Sequence, residues 1–134
     1  MAGKIRTALV TGANRGIGLA TCRALAGQGL RVVLSARRGE DAAAAALEIG
    51  VDTPAEQLDL SSEDSILACA ARLRRTGVEV DVLVNNGALL LEGDALSTAP
   101  GDFRAAVGVN LLGALACSAR EGRGAVVLNV SSDA

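Results

Sequence analysis

The sequence predicts an α/β fold, a five-stranded doubly wound parallel sheet of order 3-2-1-4-5, on three observations. Apolar runs of strand length alternate with longer segments of helical period along the chain. The second run, LRVVLSA, is β-branched and apolar in the way of a strand buried on both faces by helices. Glycines cluster between the first run and the first helical segment, where a strand has to turn sharply. Right-handed crossovers between successive parallel strands then give the order.

Strand one is expected over Ile5 to Val10. In the following IGLATCRALAGQG, Ile17, Ala20 and Leu25 recur at helical spacing, and Gly27 and Gly29 are stop signals. LRVVLSA is strand two. DAAAAALEI is a helix by propensity, and AEQLDL is a short third strand. SSEDSILACAARLRRTG has serine caps, early acids, late arginines and a terminal glycine, the order a helix dipole favours. VDVLVNN is strand four, a loop follows from Leu89 to Pro100, a helix runs from about Asp102 to Ala119, and GAVVLNVSS is strand five.

The 134 residues fit one domain, 1–134, and a hydrophobic fraction of 50% with 21% charged residues gives it a core. A net charge of -2 offers no footprint for nucleic acid. The longest uncharged stretch, Ala105 to Ala119, is too short for a membrane span, and no signal peptide precedes the first strand, so a cytoplasmic protein is expected. Cys22, Cys69 and Cys117 are far apart and read as reduced, buried core thiols rather than metal ligands. The chain has no His, Tyr or Trp, and Lys4 is its one lysine, which narrows the choice of acid-base groups.

TGANRGIG, residues 11–18, places Gly12, Gly16 and Gly18 between strand one and helix one. Glycine there lets backbone amides approach a pyrophosphate, whose charge the positive helix end favours. No Lys-Ser or Lys-Thr follows the last glycine, so this is not a Walker loop. Gly12, Arg37, Asp59, Asn85 and Ser132 each fall at or just past the end of a predicted strand, and in a parallel sheet those ends share one edge, where ligands bind. A ribose 2'-OH is held by an acid after strand two, a 2'-phosphate by a cation. Here Arg37 and Arg38 stand there, with Arg15 in the turn. Solvated loop charges are the competing reading of Arg37 and Arg38.

Together with NNGA at 85–88, VNLLG at 109–113 and VSS at 130–132, TGANRGIG resembles the classical short-chain dehydrogenase/reductase family, with the motifs in family order over the whole chain. The resemblance implies a Rossmann-type domain and a site for NADP(H), preferred over NAD(H). It is expected to be lined by Gly12, Asn14, Arg15, Gly16, Ile17 and Gly18, by Arg37, by Asp59 and Leu60, and by Asn86, Gly87 and Ala88. Asp59 is the place given to the adenine amino group, and equally a loop acid beside a Ser61 or Ser62 helix cap. NNGA reverses the last two residues of the family's NNAG, so Ala88 carries a Cβ expected to crowd the cofactor or shift the loop.

Among catalytic groups the resemblance implies Asn110, which would hold a relay water, and Ser132, which would hydrogen-bond a substrate carbonyl. Asn110 shares a helical stripe with Phe103, Val107, Ala114 and Cys117, so its amide is expected to be buried. The family's Tyr-x-x-x-Lys pair is absent from these residues. The expectation is therefore a truncated NADP(H)-dependent oxidoreductase, incomplete relative to the family fold. Its full-length relative would act on a small-molecule carbonyl or alcohol, whereas this chain would transfer hydride poorly. A non-catalytic NADP(H)-binding module or an inert fragment are the alternatives. Val126, Val127, Leu128 and Val130 of strand five would form an apolar edge prone to self-association.

Overall fold

The computed structural model describes residues 3–88, 99–113 and 126–130. In chain order the elements are β1 (Thr7–Val10), α1 (Gly16–Gly27), β2 (Arg31–Ala36), α2 (Gly39–Ile49), β3 (Ala55–Gln57), α3 (Glu63–Arg75), β4 (Val82–Asn85), α4 (Pro100–Val107) continuing as a π-helical segment (Gly108–Gly113), and β5 (Val126–Asn129). The strands form one sheet of order β3-β2-β1-β4-β5, and every pairing is parallel, as the alternation of runs requires.

Side-chain parity sorts the core into two layers. Ala8 and Val10 of β1, Val32 and Leu34 of β2, and Val82 and Val84 of β4 face Cys22 of α1 and Ala42, Ala45 and Ala46 of α2. The intervening Leu9, Val33 and Leu83 face Ile66, Cys69 and Leu73 of α3. Leu9 pairs with both Val33 and Leu83, so one register puts three large side chains in a row beneath α3. In α2 Ala45 and Ala46 follow Ala42 by three and four residues, and in α3 Cys69 and Leu73 continue from Ile66 at steps of three and four, the single stripe that a helix lying on a sheet can bury.

Local signals act where they were expected on α3. Ser62 is its N-cap, and the Ser62 hydroxyl accepts from the Ser65 amide at 3.1 Å. Glu63 and Asp64 lie in the first turn, with Arg72, Arg74 and Arg75 in the last. The two cysteines within the described residues, Cys22 and Cys69, are buried, and Cys117 lies outside them.

Some boundaries differ from the sequence expectation. β1 begins at Thr7, because Ile5 stands 68% exposed with no strand register assigned to it. β3 stops at Gln57. Leu58 still donates to the Ala36 carbonyl at 2.8 Å, after which the chain turns toward the α3 cap. Helix α4 starts at Pro100, two residues earlier than expected, since proline suits a first helical turn where no amide is needed. After Val107 the backbone passes into π-helical turns, which abandon the 3.6-residue period. The stripe extrapolated along that period therefore fails at Asn110, which is exposed rather than buried. Most of the expected Leu89 to Pro100 loop and the far end of the expected helix, with Ala114 and Cys117, lie outside the described residues. No helix among the described residues is long and apolar enough to cross a membrane.

Candidate functional site

All strands being parallel, their C-terminal ends share one edge, and four of the five residues expected there are in place. Gly12 follows β1, Arg37 follows β2, Asp59 follows β3, and Asn85 closes β4. Ser132 lies outside the described residues.

The turn between β1 and α1 is pressed against the exit of β4. A Cβ on Gly12 would come within 2.6 Å of the Gly87 Cα, and one on Gly18 within 2.5 Å of Asn86 Nδ2 and 2.7 Å of the Gly12 carbonyl oxygen. These positions are held to glycine by proximity, and Gly16 by its left-handed φ of 59°.

Polar groups fasten the two loops. Asn86 Nδ2 donates to the carbonyls of Thr11 and Gly12 at 3.2 and 3.0 Å. The Thr11 hydroxyl oxygen accepts from the backbone amides of Asn86 and Gly87 at 3.0 and 2.9 Å. On the other flank Ser35 Oγ donates to the Val10 carbonyl, and the Ala13 amide donates to the Ser35 carbonyl, both at 2.8 Å. Thr11 and Ser35 are fully buried hydroxyls, and a buried hydroxyl left without partners would cost roughly 1–3 kcal/mol. Asn85, also buried, donates to Asn129 Oδ1 at 3.0 Å and so ties β4 to β5.

This clamp sets up the start of α1. Its first internal bond runs from the Leu19 amide to the Arg15 carbonyl, so the amides of Gly16, Ile17 and Gly18 precede the helical ladder. The N-cap is Arg15, which supplies no side-chain acceptor, and the first turn holds no acid. Both α2 and α3 carry two acids there. The positive end of α1 is thus left without a carboxylate from its own first turn, an arrangement suited to an external anion. Arg15, Gly16 and Ile17 are exposed beside it and Asn14 is half-buried.

Beyond β2 the two arginines differ. Arg38 is ion-paired to Glu40 and lies 3.9 Å from Asp41. Arg37 is exposed, and among the described residues neither it nor Arg15 is ion-paired. Beyond β3, Asp59 Oδ1 accepts from the Ser61 amide at 3.0 Å and the Ser61 hydroxyl at 2.6 Å, while Ser62 supplies the cap. Leu60 is buried in the α3 layer, and a Cβ on Gly87 would stand 2.6 Å from Leu60 Cδ1. The reversed Gly87-Ala88 order thus removes a methyl where Leu60 presses and places one at an exposed position.

Lys4 sits at the opposite edge of the sheet. A hydrogen bond to Glu79 at 2.8 Å, with the charges of Glu79 and Asp81, holds its ammonium above the usual lysine range. The structure therefore brings together Gly12, Gly18, Asn86, Gly87 and Leu60, and ranges Arg15, Arg37 and Asp59 along the same edge, while Lys4 stays remote. Sequence reading missed Thr11 and Ser35. Their one signal was a hydroxyl at the end of an otherwise apolar run.

A family model described as short chain dehydrogenase matches residues 6–134. Sorbitol dehydrogenase of Cereibacter sphaeroides is 35% identical, the match covering 96% of this chain and 53% of that protein. The (+)-neomenthol dehydrogenase of Arabidopsis thaliana is 40% identical over 72% of this chain and 36% of its own length. Among solved structures, a 3-ketoacyl-(acyl-carrier-protein) reductase from Brucella melitensis complexed with NADH superposes with TM-score 0.85 at 32% identity, covering 95% of this chain and 57% of the other. A gluconate 5-dehydrogenase from Burkholderia cenocepacia in complex with NADP and tartrate gives TM-score 0.85 at 28% identity, with 95% and 53% coverage. The chain spans about half the length of these two structures and of the sorbitol dehydrogenase.

Proposed function

The chain belongs to the short-chain dehydrogenase/reductase family, and from that premise we propose that it binds NADP(H), in preference to NAD(H), as the cofactor-holding part of a cytoplasmic oxidoreductase. The enzyme would act on a small-molecule carbonyl or secondary alcohol. One observation carries the reading: α1 presents an acid-free positive end at the edge of the sheet, with Arg15 at its cap and Arg37 at the neighbouring β2 exit, neither ion-paired among the described residues.

The residues present suit such a group. Gly16 has the left-handed turn and an open flank, since a Cβ built on it would meet nothing within 4 Å, so a diphosphate can approach the amides of Gly16, Ile17 and Gly18. Arg15 and Arg37 would hold a ribose 2'-phosphate through their planar forks. Asp59 would accept from the adenine amino group with the carboxylate oxygen not engaged by Ser61. Gly12, Asn14, Leu60, Gly87 and Ala88 would line the remaining wall, and Asn86 keeps that wall against the turn. When bound, the nicotinamide supplies or accepts the hydride. Ser132 would hydrogen-bond the substrate oxygen and Asn110 would hold a water.

These 134 residues contain no tyrosine to move a proton. In isolation they are therefore assigned cofactor binding without efficient turnover. That same observation supports a second reading, a non-catalytic NADP(H)-binding module. We further assign self-association to the apolar face of β5.

Calorimetric titration with NADPH and NADH tests the assignment. Arg37→Asp should weaken NADPH about tenfold more than NADH, since a charge-assisted hydrogen bond is worth roughly 1.5–3 kcal/mol. Equal weakening of both would reject the NADP(H) preference, and tight binding with no turnover on any carbonyl would favour the module.

A further inference from the structure

The loops that carry Arg37 and Asp59 leave neighbouring strands, and one side chain joins them. Gln57, the last residue of β3, donates from Nε2 to the Arg37 carbonyl at 2.9 Å. Its Oε1 accepts from the Ser65 hydroxyl at 3.2 Å, and the Ser65 oxygen accepts from the Asp59 amide at 2.9 Å. The run Arg37, Gln57, Ser65, Asp59 therefore crosses the exits of β2 and β3 in three bonds. The backbone of Gln57 is itself pinned, because Arg72 donates to its carbonyl at 2.8 Å and pairs with Glu56 at 2.8 Å.

The chemistry of the bridge is selective. A primary amide offers a donor and an acceptor at one tip, which a carbonyl on one side and a hydroxyl on the other require together. Asparagine is one methylene shorter. The next residue along the β2 exit, Arg38, is held by Glu40 and Asp41. Arg37 has no ion pair among the described residues, so where its guanidinium stands depends on where its backbone is fixed, and Gln57 supplies a side-chain hydrogen bond to that backbone.

We propose that Gln57 is a positioning residue for the adenosine end of the dinucleotide, fixing the Arg37 backbone for the 2'-phosphate, its own amide held in place by the Ser65 hydroxyl. This rests on the NADP(H) reading above. Its role is selectivity: a loosened Arg37 costs the phosphate-bearing cofactor and spares the other.

The test is calorimetric titration of NADPH and NADH into the 134-residue chain and its Gln57→Met and Gln57→Asn variants, with thermal unfolding of each. Met keeps the length and removes both bonds, whereas Asn keeps the amide and loses the reach. Both should lower NADPH affinity roughly fivefold, the worth of one net hydrogen bond, while NADH affinity changes less than about twofold. In an Arg37→Asp background, Gln57→Met should add nothing. A retained NADPH-to-NADH ratio in a variant that still unfolds cooperatively overturns the proposal, and should Met prevent folding, the Asn variant decides. If the unsubstituted chain shows no NADPH preference, or Arg37→Asp leaves NADPH binding unchanged, the cofactor reading itself fails and this inference falls with it.

Discussion

β1 and β5 are both four-residue strands of one parallel sheet, apolar in most of their length, yet every residue of β1 is buried and every residue of β5 is exposed. Ala8 and Val10 have no accessible surface, whereas Val126, Val127 and Leu128 keep 43, 38 and 48% of theirs. β1 has β2 and β4 on its flanks, and its side chains enter both core layers with α1, α2 and α3. Among the described residues β5 pairs with β4 alone, and none of its residues joins either layer. Backbone pairing and burial are thus separate events. A parallel strand acquires its register from the neighbour, here Val82 to Val126 through Asn85 to Asn129, and its cover from elements packed on its faces.

The largest effect expected from this contrast comes from placing a charge in each strand. Val10→Asp leaves an unpaired carboxylate in the sealed layer and should cost about 3–5 kcal/mol, enough to abolish a cooperative urea transition. Val127→Asp should change stability by less than about 1 kcal/mol and reduce association in sedimentation. Equal losses from the two would break the comparison.

A smaller effect should follow from Thr11→Val, which removes the acceptor shared by the Asn86 and Gly87 amides at the price of no volume. The expected cost is roughly 1–3 kcal/mol, with faster hydrogen exchange at those two amides and unchanged exchange in β5. Unaltered exchange at Gly87 would show that the backbone approach, rather than the hydroxyl, holds the turn.

The smallest is a pH slope. Burial raises the Cys22 thiol from 9.0 to about 11. A pKa raised by folding means that the stability is whole below about pH 9 and is lost as pH rises toward about 11, because only the unfolded thiol ionises in that window. Thermal midpoints should decline over that range and do so less in Cys22→Ser. An equal decline in both would assign the slope to other groups.

Much of this was legible because it is local. The Ser62 cap, the acids and arginines of α3, and the glycine turn each follow from residues a few positions apart. Arg37 and Arg38 show the limit. They are adjacent and similar, and the resemblance names Arg37, but nothing local to the sequence shows that Arg38 is taken up by Glu40 and Asp41 while Arg37 is not. Asn110 shows another, since a 3.6-residue period extrapolated past Val107 meets π-helical backbone. Gln57 gave no signal, its partners lying 20 residues back and 8 ahead.

The sequence by itself determined the alternation of strand and helix, the parallel order, and the glycine-rich start of α1, because each is set by steric freedom or by periodicity along the chain. Only the tertiary structure decided that the Thr11 and Ser35 hydroxyls fasten the turn, that Arg38 is taken up by Glu40 and Asp41, and that Leu60 fills the room left by Gly87. Those outcomes depend on what stands across a gap of a few ångströms, and distance along the chain carries no record of it.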